Sequence, residues 1–133
     1  MNNSFVVDAS VIAKLLLDEK GSDRVRELWR LKKRWLVPEI LFVEIANTLA
    51  TKPVITADQI TEGLELVYDL GLEVVSTNKV SLVEAARLAK QKGTAVYDML
   101  YAVLAKALKI ELLTADENFA QKTKFDFVRV LGN

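Results

Sequence analysis

The chain has 133 residues, half of them hydrophobic, with eighteen basic residues balancing eighteen acidic ones and neither cysteine nor histidine. A chain of this length buries roughly two-thirds of its unfolded surface around one core, so one domain covering 1–133 is expected. The missing residue types exclude thiolate and serine-histidine nucleophiles, cysteine zinc sites and imidazole ligands, and zero net charge excludes the global positive field of a non-specific nucleic-acid coat.

Phe5-Val6-Val7 reads as a short strand ending at Asp8, after which Val11, Ile12, Leu15 and Leu16 take up helical spacing. Beyond the Lys20-Gly21-Ser22 break, Val25, Leu28, Trp29 and Leu31 predict a helix from Asp23 to about Lys33 whose other face is basic. Trp35-Leu36-Val37 is a brief buried strand. Pro38 suits the first position of the next helix, which runs to about Thr51, because an N–H there would have no partner. Lys52-Pro53 stops that helix, and Thr56 with Gln59 forms a capping box for another that reaches Gly71, making a clamp-like pair. Leu72 to Ser76 is a third strand, Val80 to Lys92 an amphipathic helix, and Val96 to Leu108 a helix apolar almost all round, which must be buried. Strands at Ile110–Thr114 and Phe125–Leu131 flank a short helix from Ala115 to Lys122. This alternation predicts an α/β domain with a mainly parallel central sheet flanked by helices, because each parallel pairing needs a crossover. Ligands of such sheets bind beyond the carboxyl ends of the strands.

No apolar run reaches the ~20 residues of a membrane-spanning helix. Met1-Asn2-Asn3-Ser4 lacks the basic and apolar segments of a secretory signal, so a cytoplasmic location is expected.

Chemistry without histidine or cysteine falls to the carboxylates, and the useful filter among eighteen is the cost of an ionised acid in apolar surroundings. Asp98 is the only charge between Ala95 and Ala105, and Glu44 stands alone between Ile40 and Ala46, with Asn47 on the same helical face. Asp8 ends the first strand with Ser10 two positions on, and Asp116 follows the strand Leu112-Leu113-Thr114 in the same way. Glu65, Asp69, Glu84 and Glu111 also have apolar neighbours. Wet helical faces account for the first three, and an outward position on an edge strand for Glu111. Taken singly, each of the four selected acids reads as an N-cap or an ion-pair partner. Together they read as a site: two carboxylates 4 Å apart repel by about 4 kcal/mol at an effective dielectric near 20, which a cation would relieve. Oxygen-only donors favour Mg²⁺ or Mn²⁺ over zinc.

Val7-Asp8-Ala9-Ser10, Glu44-Ile45-Ala46-Asn47, Tyr97-Asp98 and Leu113-Thr114-Ala115-Asp116, in that order and spacing, resemble the PIN domain, and within it the stand-alone toxin ribonucleases of the VapC type. The resemblance spans the whole chain. It implies a Mg²⁺- or Mn²⁺-dependent endoribonuclease acting on single-stranded RNA regions, a homodimer silenced by a cognate antitoxin. By the family pattern Asp8, Glu44, Asp98 and Asp116 are the metal-binding and catalytic acids, while Ser10, Asn47 and Thr114 support them. One departure is that some members carry a further acid two residues after the position of Asp116, where this chain has Asn118, with Glu117 adjacent.

Lys14 is the nearest cation by sequence for RNA phosphate, with an ordinary solvated lysine as its alternative. The run Arg30-Leu31-Lys32-Lys33-Arg34, with Trp29 and Trp35, invites a nucleic-acid reading, but the exposed face of an amphipathic helix with both tryptophans in the core explains it better. A receiver-type signalling domain would take its acids from strand ends and loops, whereas Glu44 and Asp98 fall inside helices. Asp8-Ala9-Ser10 lacks the Asp-x-Asp pattern of aspartate phosphatases. A PIN-like module that binds RNA or protein without cleaving is the remaining alternative.

Overall fold

The structure, a computed structural model, describes residues 3–31 and 33–131, so Lys32 of the basic run lies outside the described residues. β1 (Ser4–Val7) passes through Asp8 into α1 (Ala9–Leu16), and α2 (Ser22–Arg30) precedes β2 (Arg34–Pro38). α3 (Ile40–Thr51) and α4 (Ala57–Asp69) lead to β3 (Glu73–Val75), and α5 (Lys79–Lys92) and α6 (Val96–Leu108) lead to β4 (Glu111–Thr114). α7 (Glu117–Thr123) then connects to β5 (Val128–Val130).

All the described strand pairings are parallel, in the order β3-β2-β1-β4-β5. The central strands show why helices must cover both faces. Val6 and Val7 are fully buried, as are Leu112 and Leu113 next to them, and successive strand residues point to opposite faces. α6 packs across β1, β2 and β4 and against α5, and Met99 to Val103 are all buried, while Tyr97 near its start and Lys106 to Leu108 at its end are exposed. α1 packs with α2, α3, α4 and β4. Gly63 lets α4 lie close on α3, because a Cβ there would come within 2.9 Å of Leu49 Cδ1. The capping box at Thr56 is present, with the Gln59 N–H donating to Thr56 Oγ1 at 3.2 Å and the Thr56 N–H donating to Gln59 Oε1 at 2.9 Å.

Pro38, the start of β5 and the place of Glu111 differ from expectation. Pro38 closes β2 opposite Val75 instead of opening α3. The N–H of Glu39 makes the bond to Val75 at 3.1 Å, so the nitrogen of Pro38 faces the other way, past the end of the β1 pairing, where its missing donor costs nothing. β5 holds three residues and begins at Val128, after a turn at Asp126 and Phe127 in which Phe127 stacks on Phe125 at 5.1 Å. Glu111 lies on β4, which has a neighbour on each side, and its carboxylate meets Arg129 of β5 at 3.0 Å. Among the described residues no helix is long and apolar enough to cross a membrane.

Candidate active site

The chain lays down β1, β2 and β3 outward in one direction, then returns to place β4 on the other side of β1. The helices after β1 and β4 therefore depart from a topological switch point, where an open parallel sheet leaves a crevice beyond its carboxyl ends. Asp8 and Asp116 follow those two strands. α3 brings Glu44 and α6 brings Asp98 to the same place, and all four acids line one cavity of about 420 Å³.

The strand-end half is knit by hydrogen bonds. The Ala115 N–H donates to Ser10 Oγ at 3.0 Å, and Ser10 Oγ donates to Asp8 Oδ1 at 2.5 Å. In parallel, the Asp116 N–H donates to Thr114 Oγ1 at 3.0 Å, and Thr114 Oγ1 donates to Asp8 Oδ2. Each hydroxyl thus spends its lone pair on the backbone after β4 and its proton on the carboxylate after β1. Asp8 also caps α1 by accepting from the Val11 N–H at 3.2 Å, and Asp116 caps α7 by accepting from the Phe119 N–H at 3.1 Å. Of the roughly four acceptor positions of a carboxylate, Asp8 has committed three. Ser10 and Thr114 are therefore in direct contact with an acid, and Thr114 is fully buried.

The helical half is tied more lightly. Glu44 accepts one hydrogen bond, from the Tyr101 hydroxyl at 2.5 Å, and Asp98 accepts none among the described residues. Asn47 is exposed and lines an adjoining groove; among the described residues its side chain bonds to no acid. The Tyr101 contact is not among the expected ones, because its helix reads as apolar almost all round apart from Asp98. The available signal was that a tyrosine buried in such a helix needs a partner for its hydroxyl, and Tyr101 is 1% exposed.

Burial pushes the Asp8 carboxyl up to about 6, against the pull of its three donors, with the Asp98 charge adding to the rise. Glu44 is raised by burial and by the charges of Asp98 and Asp8, which outweigh the Tyr101 bond, and Asp98 is raised by burial and by Asp116. The Tyr101 phenol is pushed upward by burial and by Glu44, so it stays a proton donor. The acids thus disfavour one another's ionisation across a shared cavity. They carry oxygen donors only, and among the described residues no three of them are placed together so as to hold a metal ion.

Lys14 lines the cavity, with its Nζ 3.3 Å from Glu19 Oε1 on the same wall. Glu117 and Asn118 are exposed on α7, outside the lining. The described residues of the basic run do not reach it either. Trp35 is 3% exposed and meets Trp29 edge-on at 4.9 Å, while Arg34 makes two bonds of 2.9 Å to Glu73.

Comparison with known proteins points the same way. The PIN domain family model matches residues 5–124. Ribonuclease VapC3 of Pyrobaculum aerophilum is 32% identical over 122 residues, covering 88% of this chain and 92% of that protein. Among solved structures, VapC20 of Mycobacterium tuberculosis, described as a sarcin-ricin loop cleaving toxin, superposes with a TM-score of 0.76 at 14% identity, over 96% of this chain and 99% of its own. A toxin-antitoxin complex from Klebsiella pneumoniae gives 0.73 at 12% identity, over 96% and 98%. At those identities the two structures speak to the fold alone.

Proposed function

This chain belongs to the PIN-domain family, and from that premise we propose that it is an endoribonuclease toxin of the VapC type, using Mg²⁺ or Mn²⁺ to cut single-stranded regions of RNA. The observation that carries the reading is the convergence of Asp8, Glu44, Asp98 and Asp116 on one cavity at the switch point of the sheet. The relative of similar length is named a ribonuclease, and structures of the same fold are named toxins or toxin-antitoxin complexes. On that basis the protein works in the cytoplasm as a homodimer and is silenced by a cognate antitoxin.

The donor set fits a hard divalent cation, since it is all carboxylate and its members gain from a neutralising charge. Asp8 would offer the acceptor position its three donors leave open, and Glu44 the Oε2 that Tyr101 leaves free. Asp98 and Asp116 complete the set. When bound, the cation supplies an activated water for in-line attack and neutralises charge on the phosphoryl oxygens. The protein's part is positioning. Ser10 and Thr114 fix the plane of Asp8, Tyr101 fixes Glu44, and Lys14 can exchange Glu19 for a phosphate oxygen at the rim.

Cleavage of end-labelled single-stranded RNA by the purified protein in Mn²⁺, Mg²⁺ or EDTA tests this, with Asp98→Asn as control because Asp98 accepts no hydrogen bond among the described residues that the variant would break. Metal-dependent cutting that falls at least about 100-fold in the variant is expected, as for loss of a major electrostatic contact to the transition state. RNA bound but left uncut by the wild type under all three conditions would mean a silent binding module instead.

A further inference from the structure

Beside the acid cavity runs a second groove, about 440 Å³ in volume, which shares Ala9, Glu44 and Thr48 with it. Its walls are Ile40, Val43 and Tyr97, and its polar groups are Asn47 and Thr48. Two features set it apart from ordinary surface. Val43 is 63% exposed and Tyr97 58%, so a sizeable apolar area faces water directly next to the carboxylates. The Asn47 amide, the Thr48 hydroxyl and the Tyr97 hydroxyl make no side-chain hydrogen bond among the described residues, so donors and acceptors stand free in the same groove.

Among the described residues the lining contains no lysine or arginine, and its one charge is the carboxylate of Glu44. That chemistry repels a phosphate and suits a flat, neutral, partly polar group. The volume is at the lower end of the roughly 300–1,000 Å³ typical of small-ligand sites. Unpaired bases in single-stranded RNA are held by stacking on aromatic rings and by hydrogen bonds to their edges, for which an amide offers both a donor and an acceptor. We infer that this groove is a nucleobase subsite: Tyr97 stacks on the base of a nucleotide next to the phosphate at the acids, while Asn47 and Thr48 bond to its edge. The inference rests on the RNA reading above and assigns Asn47 to substrate contact instead of support of the carboxylates. Tyr97 directly precedes Asp98 on α6, so the base platform and a cavity acid are set by the same helix turn.

The test uses single-stranded RNA octamers carrying 2-aminopurine at one position at a time, in Ca²⁺ buffer to offset the charge of the acids. Stacking on the ring quenches 2-aminopurine fluorescence. The wild type should quench one position more than its neighbours. Tyr97→Ala should remove that quench and weaken binding about 5- to 100-fold, the range for loss of one base–aromatic stack, while Tyr97→Phe should stay within about twofold. Both substitutions alter an exposed side chain and leave the core intact. Cleavage in Mn²⁺ is followed in parallel. Equal affinity and equal cleavage for wild type and Tyr97→Ala would overturn the subsite and leave the nuclease standing. A position-specific quench lost in Tyr97→Ala, with no cleavage by the wild type, would overturn the nuclease and leave the subsite standing. Failure of the wild type to bind RNA, or a Tyr97→Ala effect confined to binding of a protein partner, would overturn the subsite.

Discussion

The two halves of the acid cavity are built by different means. On the strand side, Asp8 and Asp116 are held by hydroxyls and backbone N–H groups that link the end of β1 to the end of β4. On the helix side, Glu44 has one tyrosine and Asp98 no hydrogen bond among the described residues, and their positions follow from the packing of α3 and α6, whose Leu41, Ile45, Met99 and Leu100 are buried. A hydrogen-bonded acid contributes to the fold it sits in. An acid carried into place by apolar packing is tolerated by it. Substitutions should therefore separate by side: on the strand side they should cost stability as well as activity, and on the helix side activity alone.

The largest stability effect expected is that of Thr114→Val. It keeps the shape and removes a fully buried hydroxyl that serves both Asp8 and the Asp116 N–H, so urea unfolding should show a loss of about 1–3 kcal/mol. Ser10→Ala, at a partly exposed site where water can substitute, should cost about 1 kcal/mol. A Thr114→Val protein as stable as the wild type would remove the distinction between the two halves.

Tyr101→Phe sharpens the contrast from the other side. The ring still fills its place in the core, and half-buried Glu44 can recover a donor from water, so the loss of stability should stay below about 1 kcal/mol. Mn²⁺ affinity measured by titration calorimetry should nevertheless fall several-fold, because Glu44 is no longer held to one orientation. An unchanged Mn²⁺ affinity would reduce Tyr101 to a core residue.

The smallest effect expected is a pH trend. Asp8, Glu44 and Asp98 all have raised folded-state values, so between the ordinary carboxylate value and about 6 the folded chain binds more protons than the unfolded one, and these groups make stability fall as pH rises. Without added metal, their contribution should be fully present below about pH 4 and largely lost by pH 7, a slope that Asp98→Asn should flatten and Mn²⁺ should oppose. Melting temperatures across that range would check it.

The sheet and the four acids were legible in the sequence for one physical reason: apolar runs long enough to be buried on both faces make a stray carboxylate conspicuous. Neutral polar groups raise no such flag, so Tyr101 and the double duty of Thr114 stay hidden in the sequence, their partners being 57 and 106 residues away in the chain. Pro38 reads as a helix start although it ends β2, because a missing N–H suits the end of a strand beyond its neighbour's last pairing as well as it suits the start of a helix. Asn47 lies one turn from Glu44, as its spacing implied, yet faces the adjoining groove. Spacing along a helix gives the direction of a side chain, while the cavity it enters depends on the neighbouring helix.

If the four acids form one mutually repelling set that a cation relieves, thermal unfolding of wild type and Asp98→Asn, each with EDTA or Mn²⁺, will show it. In EDTA at pH 7 the variant should melt at or above the wild type, because a half-buried repelling charge is gone, and Mn²⁺ should raise the wild type more than the variant. An Asp98→Asn protein that melts well below the wild type in EDTA, with equal Mn²⁺ shifts for both, would make Asp98 a structural group and contradict the shared site.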